Sequence, residues 1–541
     1  MQHLSTGENE MHRLHLIHNK GFRWTKTANG FSKGALYSPD GRFYGSRHTH
    51  EYFNDAVTVA ALEDLVVNAN GMFSVVCVYN ELIVLTVDHI RMFPLFYAKK
   101  DGKYIVSDDA LFLAKECDLH EKDELAEAEF LASGYVTGSK TLIKGVFQVQ
   151  SGELLVLGAN DIRPISYYSY ATSEPYIHNY SKLRNSAIEI LHIAFNRFTE
   201  SLQGRTAVLA LSGGYDSRLI AAMLKLAGCD NTICFTYGRA GNAESAVSEQ
   251  VAKKLGFKWY NIIYNEALIN GYLDDEGFRE YYTFSANTTS MFFMQEYFAV
   301  RELKKRGLIP DDAVFVSGHS GDFLAGSQLT KYYISENAGI SELTESLYNG
   351  KFNMLHPAKE MQTKIKNEIR KFLEYGIGKG CIGYSVYEDW DLKEKLSKFI
   401  ANSVNVYGYF GYEWRLPFWD IDLTDFFRDI PYEFKMNKAL YDDILIQEFF
   451  EPAGLTFEKE LQPSAGEIRS RNFKNAVKSI LPGNIRQKLL QRTDNICYHE
   501  ITSYMLKDLE KRGIHARIHG NTYNSVIVQW YVSKVNTSFA I

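Results

Sequence analysis

The sequence predicts an α/β chain with a β-rich, layered first half, a parallel-sheet second half and a helical end. Three observations carry this. From about residue 13 to 157, apolar residues alternate with a period of two between turn signals. From residue 181 onward, short continuous apolar runs alternate with helical spacings, the pattern of βαβ units. Beyond Asp322, helical spacing dominates. A chain of 541 residues exceeds one core at roughly 100–200 residues per domain, so two or three domains are expected.

In chain order, residues 71–79 read as a strand and 81–87 as its hairpin partner. Residues 95–97 and 104–107 form a second hairpin, with Asp101-Gly102 as its turn. A strand over 153–157 closes the sheet region, and 163–179 is a polar, Tyr-rich connection. A helix follows over 181–202. The apolar run 207–211 has the texture of a buried parallel strand. Helix 218–227, strand 232–237, helix 244–255 and strand 259–264 complete two βαβ units, which imply a parallel, right-handed sheet. A long helix over 290–306 leads to a further buried strand, 313–316.

Composition bounds the function. Aromatic residues make up 14%, which points to large cores and aromatic-lined surfaces. The 59 basic and 65 acidic residues leave a net charge of −6, so no diffuse basic footprint argues for nucleic acid. The first ten residues hold no apolar signal segment. The longest apolar stretch, 74–87, is broken by Asn80 and Glu81 and is shorter than the ~18 residues a spanning helix needs. Six cysteines without a CxxC pair are not a disulfide scaffold, and a reducing cytoplasm is expected.

The main chemical signal is Leu211-Ser212-Gly213-Gly214-Tyr215-Asp216-Ser217, between a buried strand and a helix. Glycines there let backbone N–H groups close on an anion, and the helix N-terminus favours negative charge. Ser212 and Ser217 add hydroxyl donors. Asp216 would repel a phosphate alone, but makes sense if it holds Mg²⁺ beside it. No Gly-Lys-Ser/Thr follows, so this is not the Lys-bearing phosphate loop.

Ser-Gly-Gly-x-Asp-Ser after a strand resembles the pyrophosphate-binding loop of N-type ATP pyrophosphatases. Val316-Ser317-Gly318-His319-Ser320-Gly321-Asp322-Phe323-Leu324-Ala325-Gly326 resembles the Ser-Gly-Glu-Gly-Ser-Asp-Glu-Leu-Phe-Gly-Gly loop of asparagine synthetases. Tyr412-Glu413-Trp414-Arg415-Leu416-Pro417-Phe418-Trp419-Asp420 is similar to that family's Glu-x-Arg-x-Pro-Phe-Leu-Asp segment. The stretch from Asp88 through Pro94-Leu95 to Ser107-Asp108 looks like part of its glutaminase half. The resemblance to the asparagine synthetase and β-lactam synthetase family covers nearly the whole chain. It implies an N-terminal layered αββα, Ntn-hydrolase-like glutaminase domain over 1–165. It also implies a parallel-sheet ATP pyrophosphatase domain over 180–541 that activates a carboxylate as an adenylate.

Two departures change the implied activity. Glutaminases of this fold use an N-terminal cysteine, whereas position 2 is Gln2 and the first cysteine is Cys77. The glutaminase half is therefore expected to be inactive, as in the β-lactam synthetase branch. The acidic residue of the second loop is replaced by His319, where the β-lactam synthetases carry a tyrosine that works with a glutamate on the attacking amine. A neutral imidazole suits a base role, with Glu413 as the orienting carboxylate.

The resemblance further implies that ATP and Mg²⁺ are bound. Leu211, Ser212, Gly213, Gly214, Asp216, Ser217, Tyr237, Ser317 and Gly318 would contact the nucleotide, with Asp216 and Asp322 as metal ligands. Lys459, with Lys474 as a rival, would reach the phosphates and the acyl-adenylate. The expected partners are a small-molecule carboxylate, ammonia or an amine, an ammonia-supplying protein and a second copy in a homodimer. No nucleic acid and no membrane span are expected. The texture resembles asparagine synthetase-related proteins of bacterial surface-polysaccharide synthesis. The expected function is an AMP-forming amide ligase without its own glutaminase; the alternatives are an asparagine synthetase using aspartate and a nucleotide-binding scaffold without turnover.

Three patterns are set aside. Gly376-Ile377-Gly378-Lys379-Gly380 lacks the third glycine of a dinucleotide fingerprint and is expected to be a loop. His12, His15 and His18 lie in a strand-like stretch that points them to different faces, against a metal site. Lys304-Lys305-Arg306 complements a helix C-terminus.

Overall fold

The structure, a computed structural model, describes residues 13–177, 179–457, 494–517 and 523–538. In its first half, β1 (Arg13–His15), β7 (Phe96–Lys100), β8 (Lys103–Ser107) and β9 (Phe147–Gln148) form one sheet in the order β1-β8-β7-β9. The second sheet runs β11-β10-β6-β5-β3-β2, built from β2 (Thr25–Thr27), β3 (Gly30–Tyr37), β5 (Asn70–Tyr79), β6 (Leu82–Val87), β10 (Glu153–Leu157) and β11 (Ile162–Ser166). The short β4 (Phe43–Tyr44) pairs with β3.

Period-two alternation explains the layering. Inward residues of both sheets, among them Leu16, Tyr97, Val106, Val76, Leu85 and Leu155, share one core. The outer face of the larger sheet, through Phe73, Val75 and Val84, packs on Phe53, Leu62 and Val66 of two helices. The outer face of the smaller sheet packs on Ala110, Leu113 and Ala114 of helix Ala110–Glu116. The order is helix, sheet, sheet, helix, as expected. Asp101 and Gly102 turn the β7–β8 hairpin with φ of +50° and +78°, the left-handed pair such a turn needs.

The second half is built on a parallel sheet of order β14-β13-β12-β15-β16. Its strands are β12 (Ala207–Ala210), β13 (Ile233–Gly238), β14 (Lys258–Ile263), β15 (Val314–Val316) and β16 (Glu413–Arg415). Helices Tyr215–Leu226 and Ala243–Leu255 connect the first three strands. Among the described residues no helix is long and apolar enough to cross a membrane.

Four expectations need correction. β10 does not close its sheet: β11 pairs outside it, as an edge strand whose residues are largely exposed and which carries Pro164. The long helix begins at Tyr297 rather than 290, because residues 291–294 run as buried coil along the molecule's interior. The helical end contains β16, a three-residue strand too short to show a period. Gly376 and Gly378 lie in helix Lys359–Gly378 rather than in a loop.

Candidate active site

The C-terminal ends of β12, β13 and β15 open into one cleft of about 1060 Å³, where ligands of open α/β sheets bind. Its floor is the turn after β12. Leu211 is buried, and its carbonyl accepts hydrogen bonds from Thr236 Oγ1 at 2.8 Å and Ser248 Oγ at 2.7 Å. Those bonds set the turn so that Ser212, Gly213 and Gly214 pass directly into helix Tyr215–Leu226. The Ser212 and Ser217 hydroxyls lie 3.0 Å apart, and Gly214 N–H donates to Ser212 Oγ at 3.2 Å. From behind, Arg218 donates to the Gly213 carbonyl at 2.9 Å. The turn is thereby held open as an anion cradle.

The second loop, Ser317 to Asp322, leaves β15 and lies against the first. A Cβ on Gly318 would sit 3.0 Å from Ser217 N, and one on Gly321 would sit 2.7 Å from Asp216 Cγ and 2.6 Å from the Tyr441 hydroxyl. Glycine is needed at both places because of this approach. Asp322 N–H donates to Asp216 Oδ2 at 3.0 Å, and Tyr441 donates to Oδ1 at 3.0 Å. Burial and the neighbouring Asp322 charge push the Asp216 carboxyl up to about 7, against the opposing Tyr441 hydrogen bond and Lys438 charge. Ser327 donates to Asp322 Oδ2 at 2.9 Å; two adjacent carboxylates are the kind of oxygen donors a hard divalent cation takes while it keeps other oxygen ligands.

His319 lines the same cleft, as do Asp216 and Asp322 and the apolar side chains of Phe293, Phe399 and Ile400. Its Nδ1 lies 3.1 Å from Ser320 Oγ, and among the described residues its buried Nε2 has no hydrogen-bond partner. Burial lowers the imidazole to about 4, so it is neutral near pH 7. Ser320 holds φ at +81°, a left-handed conformation costing a non-glycine residue roughly 1–3 kcal/mol. Ser320 thus meets a backbone requirement usually met by glycine and adds a hydroxyl beside the ring.

Tyr237 lines the cleft at the end of β13 and stacks on Tyr264 with ring centroids 5.6 Å apart. Gly238 (φ +124°) lets the backbone of Asn495 approach closely, and Arg239 N–H donates to the Asn495 carbonyl at 2.7 Å. Asn495, Ile496 and Tyr498 thereby form the wall above Tyr237.

Glu413 is the correction among the site residues. It begins β16, and the parallel register pairs it with Val314, at the N-terminal end of β15. The loop bearing His319 leaves the other end, about 10 Å away along the strands at ~3.3 Å per residue. Glu413 instead accepts hydrogen bonds from Ser46 at 2.5 Å and from Arg205 and Arg415 at 3.1 Å each. Burial would raise this carboxyl, but Arg415 and Arg205 outweigh it and hold the group below the usual glutamate range. It therefore joins the halves structurally and cannot orient His319. Lys459 and Lys474 lie outside the described residues, as does His12.

Two cleft residues have no signal in the sequence. Lys438 lines the cleft, 2.9 Å from Asp442, reached through a left-handed kink at Asn437 and Lys438 (φ +57° each). Glu296 lines it too; its Oε2 accepts a hydrogen bond from the Tyr407 hydroxyl at 2.6 Å.

With this geometry in view, a family model described as asparagine synthase matches residues 202–487, just over half the chain. A glutamine amidotransferase domain model matches residues 53–168. The chain belongs to the asparagine synthase family. It is 28% identical over 211 residues to a probable asparagine synthetase [glutamine-hydrolyzing] of Acanthamoeba polyphaga mimivirus. That match takes in 37% of this chain and only 36% of the relative's length. Similar solved structures include an NH3-dependent NAD synthetase from Campylobacter jejuni subsp. jejuni NCTC 11168, 13% identical with a TM-score of 0.20, covering 37% of this chain and 96% of that one. An NAD+ synthetase from Burkholderia pseudomallei is 10% identical with a TM-score of 0.19, covering 54% and 93%.

Proposed function

We propose that this chain is an ATP-dependent, AMP-forming carbon–nitrogen ligase with two domains, over 1–165 and 180–541. The observation that supports it is the seating of Asp322 against Asp216 beside the open Ser212–Ser217 turn. In this reading ATP lies with its phosphates on Ser212, Gly213, Gly214 and Ser217, and its base against Leu211, Tyr237, Ser317 and Gly318. Asp216 and Asp322 would hold Mg²⁺, which when bound neutralises phosphate charge. Lys438 adds a cation from the protein at the same end.

A substrate carboxylate attacks the α-phosphorus, and pyrophosphate leaves. A nitrogen nucleophile then adds to the acyl carbon of the resulting adenylate, and AMP departs with the bonding electron pair. The free Nε2 of neutral His319 accepts the proton that the nitrogen loses. Burial alone keeps its basicity low, and the nucleotide's negative charge beside it raises it. Fixed donors aimed at the phosphates supply most of the rate.

The first half contributes no glutaminase in this proposal. Cys77 is fully buried in β5, and burial pushes its thiol up to about 11, while Cys117 is also raised by burial. Neither offers the thiolate that attack on glutamine needs. Nitrogen then comes from ammonia, an ammonia-supplying partner or an amine.

The test separates nucleotides after incubation with ATP, Mg²⁺, ammonium or an amine, and a panel of carboxylates. AMP and pyrophosphate that depend on a carboxylate support the ligase. ATP binding without AMP for any carboxylate supports a scaffold. Asparagine made from aspartate at the fastest rate would make this an asparagine synthetase.

A further inference from the structure

The ligase reading leaves Glu296 unused, although it faces the same cleft. It immediately precedes helix Tyr297–Lys305 and lines the cleft together with Phe293 and Phe399, whose rings are 4.9 Å apart. Its position is fixed. Tyr407 holds Oε2 at 2.6 Å and itself stacks on Phe315 of β15, with ring centroids 4.3 Å apart and 17° between planes.

Among the described residues the Glu296 carboxylate stands without a cationic partner: no Lys, Arg or His forms an ion pair with it. The one Lys or Arg lining the cleft, among the described residues, is Lys438, already paired with Asp442 and lying over the Tyr215 ring. A carboxylate in such surroundings is costly to keep charged. Burial raises it to about 7, against the phenols of Tyr407 and Tyr237. Aromatic faces around an unpaired carboxylate favour an organic cation, through charge and cation–π attraction together. A second carboxylate on the ligand, as in aspartate, would find no guanidinium among the described lining residues.

We propose that Glu296, with Tyr407 and the Phe293–Phe399 wall, is the binding site for a primary amine bearing an apolar arm, held as its ammonium. On reaction the ammonium gives one proton to the Glu296 carboxylate, and the free amine so formed attacks the acyl carbon of the adenylate, passing a second proton to His319 as AMP leaves. The inference rests on the ligase reading for its role, but the binding site is tested independently of turnover. Tyr407 acts as a positioning residue: it fixes the carboxylate and does not touch the amine.

The experiment is calorimetric titration of the full chain with phenethylammonium, with methylammonium and with uncharged 2-phenylethanol. The expected result is binding of phenethylammonium, at least tenfold weaker binding of 2-phenylethanol, and methylammonium in between. Glu296→Gln should weaken phenethylammonium by about 10- to 100-fold, the range for a lost charged hydrogen bond, and leave ATP binding unchanged. Tyr407→Phe should weaken it severalfold and serves if Glu296→Gln does not fold. Equal binding of alcohol and ammonium, no ammonium binding, or an unchanged affinity in both variants would overturn the proposal. Loss of ATP affinity alone in Glu296→Gln would assign the carboxylate to the nucleotide and overturn it too. Amine binding without AMP formation from any carboxylate would sink the ligase reading and leave this site standing.

Discussion

The backbone N–H of Asp322 donates to the carboxylate of Asp216 at 3.0 Å, so residues 106 apart in sequence meet at one point of the cleft. Two loops leaving neighbouring strands become one site through this contact. The glycines that permit it, Gly318 and Gly321, have no room for a side chain.

That contact can be broken without touching either acid. Gly321→Ala places a Cβ 2.7 Å from Asp216 Cγ and costs about 1–3 kcal/mol of overpacking. Pyrophosphate release should fall by at least tenfold while circular dichroism stays native. Asp216→Asn should abolish release with the fold intact. Full pyrophosphate release by either variant would remove the metal assignment.

Ser320 and His319 separate the two half-reactions. Ser320→Gly relieves a left-handed backbone and should raise stability by about 1 kcal/mol, while freeing the imidazole and slowing amide formation. His319→Phe should spare pyrophosphate release and block amide formation. Loss of both steps together in His319→Phe would make it a nucleotide residue.

Glu413→Gln tests the corrected assignment. Losing the charge that pairs with Arg205 and Arg415 should cost about 1–3 kcal/mol in denaturant unfolding. The rate of amide formation per folded molecule should be unchanged. A large fall in that rate with normal stability would return Glu413 to the active site.

Acidity offers an independent reading of Glu296. Its carboxyl, raised to about 7, is charged above that pH and neutral below it. Amine binding is therefore present above pH 7 and lost as pH falls through it. The phenols facing it, Tyr237, Tyr264, Tyr281 and Tyr407, are all pushed up by burial, and His319 sits near 4, so none titrates in that window. A primary amine, near pKa ~10, also stays charged there. The pH limb in phenethylammonium affinity should vanish in Glu296→Gln and persist in Asp216→Asn.

How far these features are legible in the sequence follows from their chemistry. Ser212-Gly213-Gly214 and Gly318-His319-Ser320-Gly321 are visible because close backbone approach demands glycine in a fixed pattern. The four layers of the first half show because successive strand residues alternate between two faces, one in the core shared by the sheets and one under the helices. Edge strand β11 is hidden because its residues are largely exposed, and it carries Pro164. Glu413 misleads because a residue in a recognisable segment is placed by strand register, which its neighbours in sequence do not reveal. Glu296 and Lys438 are single charges in ordinary surroundings; only the packing of Tyr407 and the kink at Asn437 bring them to the cleft.

The central claim is carboxylate activation by adenylation, and isotope transfer tests it most directly. With an acceptor carboxylate labelled in both oxygens with oxygen-18, the account predicts AMP carrying one labelled phosphate oxygen for each amide formed. ADP with singly labelled inorganic phosphate, in place of AMP, would contradict it, because the carboxylate would then have attacked the terminal phosphorus.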